Sequence, residues 1–397
     1  MYHSLNILHV DMDAFFASVE QAHYPQYKKK AIAVCNTESL RGVISASSYE
    51  AKKKGISSGM SVKLAKAKYP QLILVQAHYD LYQKISKQIM HLFYLFTPDY
   101  EQYSIDEAFL DVSHTKHLFK NQINIAHQIQ KKIKKKFDIT ASIGIAENKL
   151  LAKFATELNK PNGITVLTRK RFLDISKNMK ISKMPGIGKK TTEYLKNIGI
   201  VSFHDLRKLS FSYLQNAFGK YGSFLFNAAR GISEEKIEKK EMAKSIGNEI
   251  TLEEDSKNIK LLHSLLFSLV SKTTRRMRKS GQKTKTLHLK VRYFNFQTFS
   301  IQKTLKNWTD NENLIYKTLL ELWNQIEIKP IRLIGVTLSN LKEKDKMQEQ
   351  LQLFDTSSQQ KDSKIDKLLD SLKDKFGEQS IIKGGSLYFK KKGKRSL

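Results

Sequence analysis

The chain has 397 residues, 40% of them hydrophobic, too many for one ordinary core and enough for about two to four domains. Its 69 Lys+Arg against 38 Asp+Glu leave a formal charge of +31, an excess that implies a polyanionic partner, with nucleic acid the first candidate. The single cysteine, Cys35, excludes an internal disulfide framework and a cysteine-built zinc site, and fits a reducing, cytoplasmic setting.

A lysine-biased composition would also raise the charge, but it should leave more glutamate than is present. No apolar run approaches the roughly 20 residues of a membrane helix. The nearest, LLHSLLFSLV at 261–270, is short and carries a histidine. The N-terminus lacks the basic-then-apolar pattern of a signal peptide. Neither export nor a membrane partner is expected.

In chain order, residues 5–11 read as a buried strand, and Asp13 is placed to cap the helix AFFASVEQAH. Strand-like KAIAVCN and RGVISASS follow, then the basic helix YEAKKKG. YEQYSIDEAFLDV (100–112) reads as two strands meeting at a tight turn. INIAHQIQKKIKKKF (123–137) has apolar residues at helical spacing and a basic outer face. DITASIGIAE is another strand. KLLAKFATELNKPNGITVL is a helix stopped at Pro161 and Gly163, then a strand. Strands alternating with helices indicate an α/β sheet domain.

Short helices with glycine punctuation run from about 169 to 234, and a charged linker follows at 235–245. Residues 246–341 alternate again, with strands at TKTLHLKVRYF and IRLIGVTLSNL. From 342 the chain turns polar, and a last helix–strand unit precedes a basic end.

Chemistry concentrates in three carboxylates. Asp11 ends the first strand, while Asp106 and Glu107 sit at the hairpin turn almost a hundred residues later. Strand neighbours normally face opposite ways, but a turn lets both converge on Asp11. Three such carboxylates can hold two Mg²⁺ ions about 3.5–4 Å apart and drive phosphoryl chemistry. On its own, DMD would equally suit a metal-dependent glycosyltransferase, which the basic charge disfavours.

HVDMDAFFASVE, GVISASSYEAKKKGI, YSIDEAFLDV, SIGIAENKLLAKFATELNKPNG and MPGIGKKT occur in this order. Together they resemble the motif series of the Y-family DNA polymerases, over roughly residues 5–340. The resemblance implies a right-handed α/β and α+β multidomain polymerase. The palm would be 1–14 and 81–168, the fingers 15–80 and the thumb 169–234. A βα little finger would be 246–341, and 342–397 a mobile tail. It implies template-directed, low-fidelity, translesion synthesis on primer–template DNA with dNTPs and two Mg²⁺ ions. No segment is left for a proofreading exonuclease, and a monomer is expected.

By the same resemblance, Asp11, Asp106, Glu107 and the Met12 carbonyl would hold metal. Ala14, Phe15 and Phe16 open a helix whose free N–H groups suit a triphosphate. Phe16 would be the steric gate against a ribose 2′-OH, with Phe15 partly core. Tyr49, Lys52 and Lys160 match triphosphate-binding positions. Lys52 stands where an arginine is commoner, and Ala46 where a hydroxyl is commoner, so nucleotide grip is expected to be weaker.

MPGIGKKTTEYLKNIGI (184–200) resembles a helix-hairpin-helix, in which Gly186 and Gly188 let the backbone approach a DNA phosphate and Lys189 and Lys190 add charge. KTTRRMRKSGQKTK (272–285), with Arg275 and Arg276, would grip template backbone, as would Arg292 and Arg332. In the tail, Gln350, Leu351, Leu353 and Phe354 resemble the peptide that docks bacterial polymerases on the sliding clamp. The rival is a catalytically inactive, clamp-bound accessory factor on the same fold, which the intact Asp11, Asp106 and Glu107 oppose. No role is assigned to 363–397.

Overall fold

The computed structural model describes residues 5–37, 41–238, 242–344, 357–377, 380–381 and 384. The chain divides into two units, Met1–Glu241 and Met242–Leu397. The clamp-like peptide at Gln350–Phe354 lies outside the described residues.

In the first unit, β1 (Ile7–Met12) is paired along both edges. It runs antiparallel to β6 (Glu107–Asp111) on one side and to β7 (Ala141–Ala146) on the other. The outer strands β5 (Tyr100–Gln102) and β8 (Ile164–Leu167) complete a five-stranded sheet. Side chains alternate between faces along a strand. Leu8, Val10 and Met12 join a core with α1 (Phe15–His23), α4 (Tyr79–Phe93) and α5 (Gln122–Phe137). Ile7, His9 and Asp11 point the other way, towards α6 (Lys149–Leu158). That helix lies very close. A Cβ on Gly144 of β7 would sit 2.0 Å from the Ala152 carbonyl, so only glycine permits this approach.

A small sheet of β2 (Ile32–Cys35), β3 (Ala46–Ser47) and β4 (Ile73–Gln76) carries α2 (Tyr49–Lys53) and α3 (Val62–Lys68). RGVISASS is therefore strand over Ala46–Ser47 alone, apart from a Val43–Ser61 bridge. Five helices follow: α7 (Arg169–Ile175), α8 (Lys189–Asn197), α9 (Phe203–Lys208), α10 (Phe211–Phe218) and α11 (Lys220–Ala229). Phe154 of α6, Phe172 and Phe203 meet edge-on, with centroids 5.1–5.9 Å apart, and join their core to α6. The start of the charged linker is tied down by Lys149 Nζ, which donates to the Lys236 carbonyl, and by the Glu238 amide, which donates to Glu101.

The second unit is a four-stranded sheet, ordered β11 (Thr298–Thr309), β10 (Gln282–Tyr293), β12 (Ile331–Glu343), β9 (Ser245–Ser256). Helices α12 (Ile259–Lys279) and α13 (Glu312–Trp323) cover one face through Leu262, Leu266, Ile315 and Leu319 against Leu287, Leu289, Val336 and Leu338. By alternation, His288, Lys290 and Arg292 lie on the opposite face.

A final helix, α14 (Ser357–Phe376), belongs to this unit too. Its Asp366, Asp370 and Asp374 recur every four residues and so share one face. That face meets α12. Arg278 bonds Asp370 at 2.6 and 3.0 Å and stands 3.6 Å from both Asp366 and Glu312. Arg275 bonds Asp374 at 2.8 Å. The Glu312 amide at the start of α13 donates to Asp366. The basic run 272–285 is thus not simply a grip on template: Arg275 and Arg278 face an acidic helix of their own unit. The strand expected after α14 lies outside the described residues.

Removing one partner from a buried pair costs far more than removing an exposed one. Arg278→Met takes the guanidinium from Asp366 and Glu312, whose side chains are 6% and 1% exposed, and should destabilise the second unit by about 3 kcal/mol. Asp374→Asn, at a half-exposed position, should cost much less. Denaturant melts of the full chain check both, and equal effects would contradict the buried network.

Candidate active site

Two residues after His9, Asp11 stands opposite Glu107 in the β1–β6 register. The next amide, Met12 N–H, donates 3.0 Å to the Asp106 carbonyl, closing the hairpin turn onto the end of β1. Ser104 organises that turn. Its hydroxyl bonds Asp106 Oδ1 at 2.5 Å and accepts the amides of Asp106 and Glu107. The fold thus brings Asp11, Met12, Asp106 and Glu107 to one sheet end.

Their electrostatics differ. Asp11 is pushed up to about 7, chiefly by burial. Lys160, 2.8 Å away, opposes this, while the charges of Asp106 and Glu107 reinforce it. Glu107 is held down to about 2: burial works to raise it, and bonds from His9 (2.9 Å) and Lys153 (2.6 Å) more than reverse that.

Among the described residues no three His, Cys, Asp or Glu side chains are grouped closely enough to hold an ion as they stand. Asp11 and Glu107 lie on lysines instead. The donor set still fits a hard divalent cation. It is all oxygen, and burial holds the Asp11 carboxyl up despite the Lys160 ion pair, a cost that an added cation would offset.

Asp13 is not the helix cap expected from the sequence. It is 1% exposed, and its carboxylate accepts from Thr140 Oγ1 (2.7 Å), Ser142 Oγ (2.7 Å) and the Asn162 amide (2.8 Å). These partners lie over a hundred residues away, so they outcompete a local cap invisibly to any sequence window. Ala14 takes the N-cap position instead, at φ 48°, a left-handed conformation that costs a non-glycine residue about 1–2 kcal/mol.

From there α1 starts with its amides free for an anion. Phe15 is 2% exposed and belongs to the core. Phe16 is only partly buried, and its ring stacks on Tyr82 at 4.4 Å and 14°. The Tyr82 hydroxyl donates to buried Glu20, which also bonds His78, so the ring beneath Phe16 is fixed. Sequence reading missed Tyr82, because its partners Phe16 and Glu20 lie on another helix.

Basic side chains also lie near this centre. Lys160 bonds Asp11 and Glu157, and Lys52 lies 4.5 Å over the Tyr49 ring. Tyr49 Oη lies 3.4 Å from Asp13 Oδ1. Burial, then the charge of Lys160, holds the Lys52 ammonium below its ordinary value. Ala46 sits on β3 opposite Val34.

Away from this centre, Gly186 has φ +90° and its carbonyl accepts from Tyr221. Gly188 caps α8, with nothing within 4 Å of its would-be Cβ. Exposed Lys189 and Lys190 open that helix. In the second unit Arg276 bonds the Gly247 carbonyl and Asn248, while Arg292 bonds Thr298 Oγ1. Arg332 lies over the Phe296 ring at 4.4 Å. Arg275, at 9% exposure, presents little surface to a phosphate.

Comparison with known proteins agrees with this architecture. Residues 10–157 match the impB/mucB/samB family, residues 243–353 its C-terminal domain, and residues 182–233 the DNA polymerase-iota thumb domain. A DNA polymerase IV of Clostridioides difficile (strain 630) is 37% identical over 364 residues, covering 89% of this chain and 98% of the relative. One from Dehalococcoides mccartyi (strain CBDB1) is 37% identical over 381 residues, covering 95% and 96%. Among solved structures, a Y-family DNA polymerase chimera superposes with TM-score 0.77 at 29% identity, over 85% of this chain and 99% of the other. An insertion ternary complex of Dbh DNA polymerase gives 0.61 at 28% identity, with the same coverage. The chain therefore belongs to the Y-family DNA polymerases, among relatives named DNA polymerase IV, and is a DNA-directed DNA polymerase of the translesion type.

Proposed function

We propose that Asp11, Asp106, Glu107 and the Met12 carbonyl hold two Mg²⁺ ions for template-directed addition of dNMP to a primer 3′ end. The observation that carries this is Asp11. It is partly buried, its carboxyl pushed up to about 7 chiefly by that burial, and it stands beside Asp106 and Glu107 with Lys160 paired to it. Bound magnesium would supply Lewis-acid activation of the primer hydroxyl and neutralise phosphate charge.

The protein's own groups do the rest. The α1 amides at Ala14, Phe15 and Phe16, with Tyr49, Lys52 and Lys160, receive the triphosphate. A triphosphate draws Lys160 off Asp11, freeing that carboxylate for its metal. Phe16, braced on Tyr82, excludes a 2′-OH. The palm is 1–14 and 81–168, the fingers 15–80, the thumb 169–234 and the little finger 246–341. Gly186, Gly188, Lys189 and Lys190 serve one DNA contact. Arg276, Arg292 and Arg332 serve another, with Arg275 adding charge from inside. Synthesis is of low fidelity and without proofreading.

Primer extension with the purified protein tests this reading. Asp106→Ala should abolish extension while leaving primer–template affinity within a few fold, and near-normal extension would refute the site. Phe16→Ala should raise rNTP incorporation relative to dNTP by about a hundredfold, because a removed clash is worth several kcal/mol. An unchanged ratio in a folded mutant would reject the gate.

The QLQLF peptide, Gln350–Phe354, is the proposed tether to a bacterial sliding clamp, raising local concentration without altering chemistry. Leu353→Ala with Phe354→Ala should leave single-nucleotide insertion unchanged and remove the added product length that loaded clamp provides. Full clamp stimulation of the double mutant would show that the tether lies elsewhere.

A further inference from the structure

His9 has no part in the reading above, yet it is the only charged or polar side chain of β1 besides Asp11. It is fully buried, at 0% exposure, inside a strand otherwise apolar up to Asp11. A buried imidazole needs partners for both nitrogens. Nδ1 lies 2.9 Å from Thr156 Oγ1 on α6, and Nε2 lies 2.9 Å from Glu107 Oε2. The ring also packs on Phe109, its β6 partner, at 4.6 Å.

The partners assign the proton. An ionised carboxylate only accepts, so Nε2 carries the hydrogen towards Glu107, while Nδ1 shares the Thr156 hydroxyl with the Ala152 and His9 carbonyls, which lie 3.0 and 3.2 Å from it. Burial, opposed by the Glu107 bond and aided by Lys153 and Lys160, holds the imidazole below its ordinary value. Lys153 also bonds Oε2, at 2.6 Å. Both donors thus fall on one oxygen of Glu107, and Oε1 is engaged by neither. Lys153 is a flexible, partly exposed cation, 27% exposed, that an incoming phosphate can draw away. His9 sits on the central strand and has nowhere to go.

We propose that His9 is a positioning residue for Glu107, its Nε2–H fixing Oε2 so that Oε1 is presented to a divalent cation. The proposal rests on Glu107 being a metal ligand and adds what aims it. Hydrogen bonds to ligating carboxylates orient them, and losing such a bond typically costs about 10–100-fold in metal affinity.

The test compares His9→Phe, which keeps a ring against Phe109 and loses both nitrogens, with His9→Gln, whose amide can donate where Nε2–H does. Two quantities are read on the full-length protein. One is the Mg²⁺ concentration at half-maximal single-nucleotide insertion. The other is Mn²⁺ affinity by calorimetry, on a complex with non-extendable primer–template and matched dNTP. His9→Phe should raise both the Mg²⁺ requirement and the Mn²⁺ dissociation constant about 10–100-fold, with the insertion rate at saturating metal within a few fold. His9→Gln should recover most of the loss. Unchanged metal affinity in folded His9→Phe, or a folded His9→Gln as impaired as His9→Phe, overturns the proposal. Should His9→Phe not fold, His9→Asn, polar but too short to reach Glu107, carries the same expectation and the same refutation. Glu107→Ala is measured alongside. If it binds Mn²⁺ and inserts like the parent, the metal-site reading itself fails. If it is inactive while His9→Phe matches the parent, only the His9 proposal fails.

Discussion

Strand β1 is hydrogen-bonded on both edges, and that double pairing fixes everything at its C-terminal end. Registered against β6, it sets Asp11 opposite Glu107; registered against β7, it sets Asp11 opposite Ser142. A slip of one residue would send Asp11 into the apolar core and Val10 to the α6 side. Leu8, Val10 and Met12, all buried, forbid that slip. Gly144 then lets α6 approach closely enough for Lys153 and Thr156 to reach Glu107 and His9.

Charge is handled differently in the two units. Around Asp11 the carboxylates are partly buried, and the cations beside them are long lysines that a phosphate can recruit. On the second unit the cations at the end of α12 are arginines held by an acidic stripe from α14. Arginine's planar fork suits a fixed bidentate pair, and lysine's point charge suits an exchangeable one. The large positive excess therefore serves two purposes, one of them internal.

Much of this was legible in the sequence for physical reasons. β1, α1 and the 100–112 hairpin carry clean periodicity over short windows, and motif order marked Asp11, Asp106, Glu107, Phe16, Tyr49, Lys52 and Lys160. Asp13 was not legible, because its hydrogen-bond partners come from 140–162. His9 looked like one more residue of an apolar strand, although its two-residue offset from Asp11 put both on one face. For a surface helix such as α14, an apolar stripe turned inward is the ordinary arrangement. Instead Asp366 is buried, while Ile365, Leu368 and Phe376 are 53–62% exposed, because the arginines of α12 attract the acidic face.

The proposed metal site is a set of partly buried carboxylates at the end of β1 that nucleotide completes. Electron paramagnetic resonance of Mn²⁺ on the full chain tests it most directly, using non-extendable primer–template with and without the matched dNTP. About two tightly bound ions per chain are expected when dNTP is present, with their loss in Asp11→Asn. Mn²⁺ binding that is indifferent both to dNTP and to Asp11→Asn would contradict it.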